Sequence, residues 1–176
     1  MTAGILLGIV LIAGAILAFT QLPKYPDTWR KLPRERVIGF IIGLGCLNWT
    51  VNLVQFLLEG GMERFRPFLW PVAAIIAVAS WFYLDYLFTR SLGGILLLVA
   101  NYLIHAAFVH HAPLRPLLTL NCYLLGILGM ILIASPFRFR DALQRAAESA
   151  RYRQVMSGGL LLSGLITLAV SLLASH

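Results

Sequence analysis

Six apolar runs of about 18 to 23 residues occupy most of this 176-residue chain, and no other feature constrains its fold as much. At 1.5 Å of rise per residue, a helix of that length crosses the ~30 Å hydrocarbon core of a bilayer. The runs fall at Thr2–Thr20, Val37–Leu58, Pro67–Phe88, Leu92–Val109, Leu117–Ser135 and Met156–Ala174. Hydrocarbon holds no water, so the backbone N–H and C=O groups must bond one another, and a spanning segment is a helix or part of a closed barrel. The expected fold is all-α: a polytopic integral membrane protein forming one six-helix transmembrane bundle over residues 1–176. Little chain is left for a soluble domain. Charged residues make up 12% of the sequence, against about 25% in soluble domains.

The basic residues are sorted by side. Lys24, Arg30, Lys31, Arg34 and Arg36 fall in the loop 21–36, Arg90 beside the turn after the third run, and Arg138, Arg140, Arg145, Arg151 and Arg153 in the loop 136–155. Arg64, Arg66 and Arg115 are the exceptions, so eleven of fourteen Lys and Arg share one side. Basic loops stay in the cytoplasm, which predicts a cell inner or plasma membrane protein with both termini outside. The sequence pI near 10 then does not point to nucleic acid. Juxtamembrane Lys and Arg instead suit anionic lipid headgroups, at about 1 kcal/mol each. "MTAGILLGIV" lacks the basic start of a signal peptide, so the first run is expected to be a retained span. Tyr25 and Trp29 are expected at headgroup level in the first basic loop.

The second run is unusual for its amides. Asn48, Asn52, Gln55 and Glu59 recur at i, i+4, i+7 and i+11, which places them on an arc of about 60° at 100° per residue. Gly39, Gly43, Cys46 and Thr50 form a second arc about 180° away. Small side chains let helix backbones approach, so the second arc reads as a helix-packing face. The amide arc must face protein, water or a ligand, because an unbonded amide in hydrocarbon costs several kcal/mol. Asn101 and His105 share a face of the fourth run, and Asn121 lies in the fifth at a comparable depth. These six residues, Asn48, Asn52, Gln55, Asn101, His105 and Asn121, are the candidates for a polar cavity or interface.

Asp85 near the end of the third run is expected to form an ion pair with Arg90 or with an arginine of the basic loops. A proton relay is the competing reading, since ionisable groups within a span are functional candidates. The segment after Pro136 reads as a short surface helix carrying Asp141 with Arg145 and Glu148 with Arg151. Its apolar side of Leu143, Ala147 and Ala150 is narrow, suiting a solvated spacer or a docking surface.

Chemistry-bearing patterns are sparse. Two ligands on one helix need i, i+3 or i+4 spacing, whereas His105 and His110 are five apart, so no metal site is expected. Cys46 and Cys122 read as small packing residues, not a disulfide or a metal pair. No nucleophile has a base at hand and no motif marks a cofactor, so none is expected. The function that fits is a non-catalytic subunit or scaffold of a membrane complex, with a membrane or cytoplasmic protein partner or a homo-oligomer. The alternative is a small-solute permease, channel or solute-binding subunit with an outward-facing polar cavity; an intramembrane enzyme comes third.

Overall fold

The computed structural model describes residues 2–22, 24, 35–58, 63–109 and 114–173. Tyr25, Trp29 and Lys31 of the first basic loop, Glu59 and His110 lie outside them. Among the described residues the chain forms seven α-helices and no strand: α1 (Thr2–Gln21), α2 (Arg36–Leu57), α3 (Arg66–Tyr83), α4 (Leu87–Val109), α5 (Arg115–Ala134), α6 (Pro136–Glu148) and α7 (Ala150–Leu173). A 3-10 turn, Glu63–Phe65, leads into α3. All but α6 are long and apolar enough to span a bilayer. The protein is an all-α bundle of six membrane-spanning helices.

Two groups of helices make up the bundle. In the first, α1 packs along α7, α4 along α5, and α5 meets α7, with α1 returning to touch α4. The second is the hairpin α2–α3, joined to the first group through α2 on α4. Only 11% of the α2 span and 6% of the α3 span is buried, against 33% for α1, α4 and α5. The hairpin is therefore an outlying element.

Glycines set the close crossings. A Cβ added to Gly93 of α4 would lie 2.6 Å from the carbonyl oxygen of Gly129 on α5, and one on Gly129 would lie 2.8 Å from that of Gly93. Gly8 and Gly164 do the same for α1 and α7, with 3.0 and 3.1 Å to each other's carbonyl oxygens. Backbone then meets backbone, which is how helices gain contact where lipid tails are as apolar as leucine. Around these crossings sit Ala100, Leu103, Ala107, Leu118, Cys122 and Val170, and a second cluster of Leu11, Leu96, Leu125 and Leu132. Cys46 and Cys122 are both free thiols.

Two boundaries differ from the expectation. The third helix ends at Tyr83 instead of Phe88, and α4 begins at Leu87, before Arg90. Leu84 is extended and Tyr86 takes φ 58°, a left-handed conformation that reverses the chain within apolar sequence. Hydropathy has no sensitivity to such a turn. Asp85 accordingly sits in a turn, not in a span. The second difference is α6, whose buried side is Pro136, Leu143 and Ala146, with Phe139 against the same cluster, instead of Leu143, Ala147 and Ala150. Extended backbone at Ser149 resets the helical phase and assigns Ala150 to α7. This face covers Ala18 and Leu22 at the end of α1, so α6 is docked on the bundle.

Charge ties α6 in place. Arg140 donates through Nε and Nη2 to Asp141 Oδ1 at 3.1 and 2.9 Å and through Nη1 to the Tyr86 hydroxyl at 3.4 Å. The hydrogen bond to Asp141, with smaller contributions from Tyr86, pushes the guanidinium pKa up. Asp141 thus pairs with its neighbour Arg140, not with Arg145. Arg153 of α7 lies 5.9 Å from the Phe19 ring centroid and donates to the carbonyl of Ala146 in the last turn of α6, where a cation is favoured by the helix dipole.

The crossings make a direct test. Gly93→Ala should destabilise the bundle by about 1 to 3 kcal/mol, because the backbone opposite cannot yield. Gly14→Ala and Gly158→Ala, whose added Cβ would meet nothing within 4 Å, should be neutral or stabilising, since alanine is the better helix former. Thermal unfolding of the purified variants in detergent reads the difference.

Candidate functional site

The small-residue arc of α2 lies against α4. A Cβ on Gly39 would come within 2.7 Å of the Leu87 carbonyl carbon, and the Gly39 carbonyl accepts a 2.7 Å hydrogen bond from the buried Ser91 hydroxyl. Gly43 faces Ser91 Oγ one turn on, and Cys46 Sγ donates to the Ser91 carbonyl at 3.5 Å beside Gly94. Thr50, next on the same arc, is exposed and bonds only back to the Cys46 carbonyl at 2.8 Å. The two helices therefore touch along their basic-end halves and part beyond Cys46. Across the start of the gap, Trp49 and Tyr102 meet edge to face with centroids 6.1 Å apart.

Asn101 and His105 lie seven and eleven residues beyond Gly94, within about 20° of its direction on α4. Both are exposed, which follows from the parting of α2 and α4. Neither side chain hydrogen-bonds another described residue. Asn121 has a different setting. It is buried, and its Nδ2 donates to Thr167 Oγ1 at 2.9 Å and to the Ser163 carbonyl at 3.2 Å, joining α5 to α7. The Thr167 hydroxyl in turn donates to the Ser163 carbonyl at 2.8 Å, which leaves its lone pair for Asn121.

The amide arc points away from α4. Asn48 and Asn52 are exposed, and their two mutual hydrogen bonds run within α2: Asn52 Nδ2 donates to the Asn48 carbonyl at 2.8 Å and to Asn48 Oδ1 at 3.4 Å. Beyond that, no described residue bonds the Asn48 amide nitrogen or the Asn52 side-chain oxygen. Measured along the axis from Arg36, Asn48 is about 18 Å and Asn52 about 24 Å into the helix, within a hydrocarbon layer of ~30 Å. Gln55, half-buried, sits where α3 begins, and its carbonyl accepts from Arg66 Nη2 at 3.3 Å. The six polar candidates thus occupy three places: the outer arc of α2, the α2–α4 gap, and the α5–α7 contact.

Gly45 belongs to the first of these places and was not among the sequence candidates. It lies about 20° from Asn52 and 60° from Asn48 at 100° per residue, it is exposed, and a Cβ added to it would meet nothing within 4 Å. The signal was legible, since the amide spacing counted backward by one turn reaches it. Asp85 makes its ion pair with Arg36, Nη2 to Oδ1 at 3.8 Å and well exposed, instead of with Arg90, whose buried Nε has no hydrogen-bond partner. Arg36 is one of the basic-loop arginines expected as an alternative to Arg90, and it takes the pairing because α2 starts beside the α3–α4 turn. Among the described residues no group of three or more His, Cys, Asp or Glu could hold a metal ion.

Comparison with known proteins yields no relative: no protein-family model matches the chain, and neither a curated protein nor a solved structure does. Function therefore has to be read from the geometry.

The α5–α7 network can be weighed by itself. A double-mutant cycle of Asn121→Ala and Thr167→Val should give a coupling of about 0.6 to 1.7 kcal/mol, the range for interhelical hydrogen bonds in membranes. Additive melting shifts would mean that the pair contributes no net bond.

Proposed function

We propose that this chain is a non-catalytic subunit or scaffold of a membrane complex, and that the outer arc of α2 is the surface by which it joins a partner. The single observation that carries this reading is the exposure of Asn48 and Asn52 at hydrocarbon depth, with the Asn48 amide nitrogen and the Asn52 side-chain oxygen unmet by the described residues. Lipid tails offer these groups nothing, at a cost of several kcal/mol. A neighbouring protein helix offers donors and acceptors. The outlying position of the α2–α3 hairpin leaves that arc open to one.

In this reading the end bearing Arg36, Arg90, Arg138, Arg140, Arg145, Arg151 and Arg153 lies in the cytoplasm, and the membrane is a cell inner or plasma membrane. Both chain termini are then outside. Exposed Arg138, Arg145 and Arg151 contact anionic lipid headgroups there. A second reading, a small-solute path, draws on the α2–α4 gap, where Thr50, Asn101 and His105 are all exposed and offer hydroxyl, amide and imidazole groups to a small solute. Asn121, bonded into α7, takes no part in such a path.

A photoreactive amino acid at position 48, activated in native membranes, tests the partner reading. Adducts with protein are expected; adducts with lipid alone would sink it. Orientation is tested separately with Arg145→Cys. An impermeant thiol reagent should label it only after permeabilisation, and labelling in intact cells would reverse the assignment.

A further inference from the structure

The amide arc carries within itself what it needs from a partner. A primary amide has two N–H donors and an acceptor oxygen, and on this arc the Asn48 amide nitrogen and the Asn52 side-chain oxygen are both unmet by the described residues. We propose that the partner is a second copy of this chain, with α2 packed on α2 across a twofold axis along the membrane normal. The amides of Asn48 and Asn52 bond those of the other copy there, and Gly45 seats the two backbones. This proposal rests on the reading that the arc binds protein.

Three features select a second copy. The first is depth. A twofold axis along the normal keeps every residue level with its own counterpart, so an arc with polar groups about 18 to 24 Å from Arg36 meets polar groups at those same depths. Such an axis also leaves both basic ends on one side, as a common insertion orientation requires. The second is reach. Asparagine is short, so its amide crosses an interface only where the helix axes are close, and close approach needs a small residue. Gly45 is that residue: it shares the amide arc, and a Cβ added to it would meet nothing within 4 Å of its own chain. The close packing of Gly39 against α4 lies about 120° around the helix, and no described residue comes within 4 Å of a Cβ placed on Gly45. The third is charge. Between Gly45 and Gln55 the arc has no ionisable side chain, so two copies bring no like charges together in hydrocarbon. The hairpin's edge position lets them meet without displacing α1, α4, α5 or α7.

The experiment is energy transfer between donor- and acceptor-tagged full-length protein in liposomes, followed as lipid is added to dilute it. Wild type should show saturable transfer that falls on dilution. Gly45→Leu should weaken association at least tenfold while melting like wild type, because its side chain enters open space in the single chain. Asn48→Leu with Asn52→Leu should weaken it similarly and adds no bulk at the glycine, which covers a failure of Gly45→Leu to fold. Gly14→Leu, equally open but on α1, should associate as wild type does. A monomeric wild type at every dilution, or wild-type association in the two α2 variants, overturns the proposal. The photoadduct at position 48 separates this failure from that of the broader reading. Adducts at twice the chain mass support both. Adducts with a protein of another mass overturn the second copy and leave the subunit reading standing, and lipid adducts alone overturn both.

Discussion

Backbone contact at glycine is the interaction on which the rest of this structure depends. Between helices in lipid there is no hydrophobic gain to be had, since a leucine leaving lipid for a protein neighbour exchanges one apolar surroundings for another. What remains is dispersion and hydrogen bonding at short range, and short range requires that the Cβ be absent at the crossing. Gly8 with Gly164, Gly93 with Gly129, and Gly39 against Leu87 and Phe88 supply three such places. They join α1 to α7, α4 to α5, and α2 to α4. The leucine clusters around them fill space that the glycines define.

Polar side chains in the bundle meet two different ends. Asn121 and Ser91 are each bonded to a neighbouring helix, Asn121 to Thr167 and Ser163 and Ser91 to the Gly39 carbonyl, and both are buried. Their bonds add direction to contacts that dispersion alone would leave free to slide. Asn48 and Asn52 have bonds only within their own turn of helix and face outward. The same chemistry is structural in one place and unspent in the other, and the difference lies in whether a helix stands opposite. That contrast is the basis for treating the outer arc of α2 as an association surface.

The basic end is more than a topology signal. Arg140 links α6 to the α3–α4 turn through Tyr86, and Arg153 links α7 to Phe19 of α1 and to the last turn of α6. With Leu143 and Ala146 seated under Ala18 and Leu22, α6 closes that end of the four-helix group. Cations gathered at one end of the bundle thus also hold α6 against it. Arg36 does so for the hairpin through Asp85, though at 3.8 Å and in the open this pair contributes little.

Much of the architecture was legible in the sequence because length and apolarity are local properties. Six runs long enough to span, basic residues gathered between alternate runs, and the two opposed arcs of α2 follow from counting residues at a fixed rise and a fixed angle. Turns that depend on one residue's backbone angle were not legible: Tyr86 at φ 58° ends α3 early, and extended backbone at Ser149 shifts the buried side of α6. The small-residue arc of α2 was legible as a packing face, and Gly39, Gly43 and Cys46 do meet a neighbour, but the sequence did not decide that the neighbour is α4. Lipid and protein interior are both apolar, so hydropathy cannot tell a leucine that faces one from a leucine that faces the other. The same holds for the amides: periodicity set Asn48 and Asn52 on one arc and Asn101 and His105 on another. Only the placement of α2 beside α4, drawn close by Gly39 and parted beyond Cys46, determined that none of the four is covered by its own chain while Asn121 is.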